Sequence, residues 1–197
     1  LSTWTIDTDK ILANAQIRGN RPAPVLTALV NILEQNLPGY WQSLNVVPSA
    51  RMAETTPKTF QLQRLRLPEP GDVYEWPACL VGGQIDQHSS GMGWEAILHV
   101  RIVIAWQGAD TSPRQLEDAM DVATAAQGVL MHPNFQAAFV NPDTGQRLWY
   151  GLQPAGFAPT PTEWPYYTGW MALVDVSQSP DSGGSLWYEA QSQSGGY

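Results

Sequence analysis

His88, His99 and His132 are the residues of this chain best suited to acid–base or metal chemistry. None has a Cys, His or carboxylate at metal-ligand spacing. Each is therefore expected to be structural or superficial, and no metal is expected. Ser89-Ser90-Gly91 follows His88, but a serine nucleophile needs a shaped turn such as G-x-S-x-G, and sequence neighbours rarely form a triad. A flexible loop is the expectation for residues 87–93. Gly91-Met92-Gly93 leads into a strand, whereas a dinucleotide fingerprint leaves a strand and opens a helix. No cofactor is expected. Cys79 has no His or Arg beside it and reads as a buried, inert thiol. Glu69, Asp72 and Glu75 could pair for glycoside hydrolysis, but they sit around a Pro-Gly turn, which favours a solvated acidic loop. Trp106, Trp149 and Trp170 alternate with core positions, which favours core or interface packing over sugar stacking. Arg64, Arg66 and Arg101 could share one sheet face, turned either to an acidic neighbour or to solvent. These residues compose no enzyme site, and a non-enzymatic protein is expected.

The composition narrows the class. The chain has 197 residues, 43% hydrophobic, with nine Trp, so it can bury a core as one domain. Only 14% of residues are charged, against about 25% in a typical soluble domain. That shortfall fits a surface covered by neighbours. The net charge of −8 opposes binding to phosphate backbones and to anionic membrane surfaces. A single cysteine excludes a disulfide framework within the chain. The most apolar run, Ile97–Trp106, holds His99 and Arg101 and is far shorter than the ~20 residues that span a bilayer. The first residues lack the layout of a signal peptide.

The elements that would position these residues follow from periodicity. Residues 1–24 read as an arm. Pro24 opens a helix in which Leu26, Leu29, Val30, Leu33 and Leu37 recur at helical spacing, and Pro38-Gly39 is expected to stop it. Val25 and Ile32 lie off that stripe. They mark either a subunit contact or a helix sunk deeper in its own core. Residues 58–67 predict a strand whose apolar parity changes at Gln63–Arg64, through a bulge or a change of face. A second strand is expected over 74–86, with Gly82-Gly83 as a bulge or point of close approach. Residues 94–106 predict the strongest strand: Ala96, Leu98, Val100, Ile102, Ile104 and Trp106 line one face, and Ile97, His99, Arg101, Val103 and Ala105 the other. Ser112, Pro113 and Gln115 match a capping box with proline at the first position, opening a helix to about residue 131. Its expected buried stripe is Leu116, Met120, Ala123 and Leu130. Strands are expected over 147–152 and 166–176, separated by a Pro-rich stretch, Pro154 to Pro165. Residues 178–197 are a Ser/Gly-rich tail with one aromatic pair, Trp187-Tyr188. Short turns between strands argue for antiparallel pairing. The class is α+β: a mainly antiparallel sheet with helices packed on one face, plus an N-terminal arm, a single domain over 25–177 and a flexible tail.

This order of elements resembles the tail terminator, or tail-to-head joining, proteins of tailed bacteriophages. The likeness spans residues 24–177: helix Pro24–Leu37, strands around 58–86, the long strand ending Ala105-Trp106-Gln107-Gly108, the capped helix Ser112–Met131, and a terminal pair ending Trp170-Met171-Ala172-Leu173-Val174-Asp175-Val176. The resemblance implies a ring of six in the virion, at the tail or neck, assembled in the host cytoplasm. It implies as partners further copies of the chain, a neck or head-completion protein, and the tail tube, with a sheath if the tail is contractile. DNA would pass transiently through the channel without tight binding, so an acidic lumen is expected, with Glu69, Asp72 and Glu75 as lining candidates. Trp187, Tyr188, Val25 and Ile32 are the candidates for docking on partners. The alternative is a carbohydrate-binding or adhesin module using exposed Trp and Tyr, and a third reading is a small hydrolase.

Overall fold

A computed structural model describes residues 22–63, 73, 75–90, 93–108, 112–136, 139–140, 147–161 and 167–178. The elements are α1 (Pro22–Leu44), α2 (Ser49–Thr55), β1 (Thr59–Leu62), β2 (Ala78–Ser90), β3 (Gly93–Gln107), α3 (Pro113–Leu130), the short α4 (Pro133–Gln136), β4 (Phe139–Val140), β5 (Arg147–Trp149), β6 (Gly151–Pro159) and β7 (Tyr167–Ser177). Five strands form one sheet in the order β1-β2-β3-β7-β6, and β4 and β5 make a separate ribbon. The class is α+β with a mainly antiparallel sheet.

β3 is the centre of the molecule. Its alternation puts Leu98, Val100, Ile102 and Ile104 on one face, all buried together with Val81 of β2 and Ala172, Val174 and Val176 of β7. α1 and α3 cover this face. α3 does so through Ala119, Val122, Ala123, Ala126, Val129 and Leu130. Small residues on that stripe let the helix lie close to the sheet, so the expected stripe is shifted. Ala123 and Leu130 belong to it, whereas Met120 is 42% exposed and points away. The capping box forms as the sequence predicts: the Ser112 hydroxyl accepts from Gln115 N–H, and the Gln115 side chain accepts from Ser112 N–H at 3.0 Å.

α1 runs past Pro38-Gly39, where a stop was expected. A proline inside a helix costs about 3 kcal/mol. Trp41, one turn further on, is fully buried and donates its indole N–H to Thr55 Oγ1 at 3.0 Å. A buried Trp removes ~150–250 Å² from water, about 4–6 kcal/mol at ~25 cal/mol/Å², which outweighs the break. Of the loop expected at 87–93, residues 87–90 and Gly93 are instead strand, because β2 and β3 stay paired from Ala78↔Ala105 to Ser90↔Gly93, and residues 91–92 lie outside the described residues. No bulge interrupts that ladder at Gly82-Gly83. The close approach is real at Gly83, where an added Cβ would meet Leu26 of α1 at 3.3 Å.

Two further expectations are corrected. β1 pairs parallel to β2, not antiparallel. The chain between them, residues 63–77, is long enough to cross over rather than turn back, as parallel neighbours require. The Pro-rich stretch begins inside a strand, since β6 holds Pro154 and Pro159. Proline is tolerated there because β6 is the edge of the sheet, and the register shifts between Pro154 and Gly156, whose φ is +120°. The parity change at Gln63–Arg64 lies at the boundary of the described residues. Residues 1–21 of the arm and 179–197 of the tail lie outside them.

Candidate functional site

On the second face of the sheet, no helix residue among the described residues enters the packed cluster. At one end, Ala78, Leu80, Val103, Ala105 and Met171 are buried under Val73, with Trp76 and Ala158 packed alongside. At the other end the face is polar. His99 of β3 lies opposite Gln84 of β2 and Asp175 of β7, and Arg101 lies opposite Gly82 and Leu173. His99 and Arg101 are exposed. The His99 Nδ1 approaches Asp175 Oδ1 at 2.6 Å, and its Nε2 approaches Asp86 Oδ2 at 3.2 Å. The hydrogen bond to Asp175 holds the imidazole above the usual histidine range. Partial burial opposes this, and the charges of Asp175 and Asp86 and the Asp86 bond reinforce it. The sequence expectation of a superficial His99 is right in place but misses its partners, which arrive from two other strands.

The sheet ends in two unlike edges. β1 is only four residues long and presents Leu62, 42% exposed. β6, at the opposite side, presents Phe157, 43% exposed, on a strand broken by two prolines and a bulge. Such edges resist extension of the backbone ladder, so contacts there fall to side chains.

A cavity of about 330 Å³ between α2 and the start of α3 is lined by Arg51, Glu54, Trp106, Ser112, Arg114 and Asp118. Arg51 donates to Asp118, whose side chain is 10% exposed. Burial, followed by the charges of Asp118 and Glu117, raises Asp121 above its usual range. Removing Arg51 leaves Asp118 uncompensated. Arg51→Met is expected to cost about 2 kcal/mol, below the ~3–5 of a fully buried pair because Arg51 keeps contact with water. The double variant with Asp118→Leu should recover most of that loss in urea denaturation. An unchanged single variant would show that the pair does not tie α2 to α3.

The residues expected to act are distributed as follows. Val25 and Ile32 are 2% and 7% exposed and lie in the chain's own core. They are not docking residues, because α1 packs against β1, β2 and α3 at once and buries a wider stripe than one neighbour would. The exposed apolar residues near α1 are instead Tyr40, Leu44 and Val46, at and just beyond its C-terminal end. Glu75 is exposed, and its carbonyl accepts from Thr59 Oγ1 at 2.8 Å. Glu69, Asp72, Trp187 and Tyr188 lie outside the described residues, as do Arg64 and Arg66. Cys79 is fully buried, which pushes its thiol up. Trp41, Trp106 and Trp149 are buried, and Trp170 is partly buried against the core. Among the described residues, no three His, Cys, Asp or Glu side chains are placed to hold a metal, and no helix is long and apolar enough to cross a membrane. No protein-family model matches the chain, and a search of curated proteins finds no relative.

Proposed function

We propose that this chain is a structural virion protein that forms a ring of six, caps a phage tail and joins it to the head or neck, leaving a channel through which DNA passes without being gripped. The observation that carries this reading is the pair of unlike sheet edges. A cyclic ring needs two different patches on each subunit, one meeting the other on the next copy. Leu62 on β1 and Phe157 on β6 are exposed apolar side chains at opposite sides of one sheet. The low charge content and the packing of α1 and α3 on one face of the sheet fit the same role, and the net charge of −8 fits an acidic lumen, to which exposed Glu75 contributes.

The test uses Phe157→Lys and Leu62→Lys. Both are surface changes, so folding stability should stay within about 0.5 kcal/mol. Each is expected to leave a folded protein that neither forms rings nor joins tails to heads when mixed with purified tails and filled heads under the electron microscope. Rings and joining at the level of the unsubstituted chain, in both variants, would remove the edges from the contact. An unsubstituted chain that never associates with tails would remove the function.

A further inference from the structure

The Asp86–His99–Asp175 cluster has a property that its geometry alone dictates. An ionised carboxylate only accepts hydrogen bonds. Both ring nitrogens of His99 face a carboxylate oxygen at hydrogen-bond distance, Asp175 at 2.6 Å and Asp86 at 3.2 Å. Neutral imidazole has one N–H and one lone pair, so it can satisfy only one of them. We propose that Asp86, His99 and Asp175 form a proton-held clasp across β2, β3 and β7, in which His99 is an imidazolium that donates from both nitrogens.

The three residues come from three adjacent strands, so the clasp joins the central part of the sheet on the face opposite α1 and α3. The neighbours on that face are mostly uncharged: Gln84 opposite His99 on β2, and Gln153 opposite Asp175 on β6. Arg101, two residues along β3, is the other charged residue described on this face. Further along the hairpin, His88 is matched in register with Glu95. With His99 protonated, Asp86, His99, Arg101 and Asp175 balance to zero. When the proton leaves, the shorter contact keeps the remaining N–H, and the Nε2 lone pair turns against the Asp86 carboxylate. Asp86 is then released, and these four groups together become net negative. The clasp is thus a switch that pairs or frees one carboxylate according to pH.

The sign of the stability effect follows. The folded-state pKa of His99 lies above its unfolded value of 6.5, so the clasp contributes fully below 6.5 and its contribution is lost as pH rises through the folded value.

The experiment is an NMR titration of the histidine rings in the full chain, from pH 5 to 10, with His99→Gln identifying the signal. In the unsubstituted protein the His99 midpoint should lie above 6.5, and the Asp86 carboxyl carbon should shift with the same midpoint. Asp175→Asn should lower the midpoint most, and Asp86→Asn should lower it less. The denaturation midpoint lost in His99→Gln should be largest in acid and shrink as pH rises through the His99 titration. If Asp175→Asn fails to fold, Asp86→Asn alone reads the same coupling. A His99 midpoint at or below 6.5, or one that Asp86→Asn leaves unmoved, would overturn the clasp.

Discussion

Replacing Ile102 with aspartate is expected to abolish folding. Ile102 is fully buried at the middle of β3, opposite Val81 of β2 and Ala172 of β7, under the helical layer. A carboxylate there would have no partner and no water. An uncompensated buried charge costs several kcal/mol, to which the lost apolar burial adds another ~2–3. Domains of this size carry about 5–15 kcal/mol of total stability, so most of it is removed. The expected result is a protein without a cooperative thermal transition. Ile102→Val, which only trims a methylene, should cost about 1 kcal/mol and keep the transition. A soluble Ile102→Asp variant that melts cooperatively near the unsubstituted protein would place Ile102 outside the core and undo the register of β3.

The next largest effect is expected at Gly169. This residue lies in β7 between β3 and the end of β6. It pairs with Ala105 on one side, and on the other its N–H donates to Thr160 Oγ1 at 2.9 Å while its carbonyl accepts from Thr160 N–H at 3.1 Å. A Cβ built here would stand 1.9 Å from the Ile104 carbonyl oxygen and 2.7 Å from the Ala105 Cα. Both are backbone atoms and cannot swing aside, so β3 and β7 must part. Ordinary overpacking costs about 1–3 kcal/mol. Gly169→Ala should exceed that and lower the melting temperature by roughly 10 °C at ~2–4 °C per kcal/mol. Gly39→Ala is the matched control, since a Cβ there meets nothing within 4 Å. Equal melting temperatures for the two variants would mean that β3 and β7 do not approach as described.

What could be read from the residues was what local chemistry decides. The alternation over 96–106 needs only a sheet with one face buried, and Ser112-Pro113 with Gln115 needs only the first turn of a helix. Both are found as expected. The features that escaped depend on distant neighbours. Pro38 ends a helix unless something beyond it is anchored, and the anchor, Trp41 against Thr55, requires α2 to fold back. Pro154 and Pro159 forbid a central strand but suit an edge, and position in the sheet is not a local property. Met120 obeys helical spacing, yet the small face of α3 wins the contact because Ala119, Ala123 and Ala126 allow closer approach. His99 had no ligand-spaced partner in sequence because its carboxylates stand on flanking strands, brought beside it by the β2–β3 and β3–β7 registers.

Assembly is where the proposed role is most exposed to test. Six copies of this 21.7 kDa chain would weigh about 130 kDa. Native mass spectrometry of the purified protein, alone and bound to isolated tails, reads that number directly. A discrete six-copy species that Phe157→Lys reduces to the single-chain mass is the expected result. A single-chain mass in both settings, at every concentration, would contradict the ring.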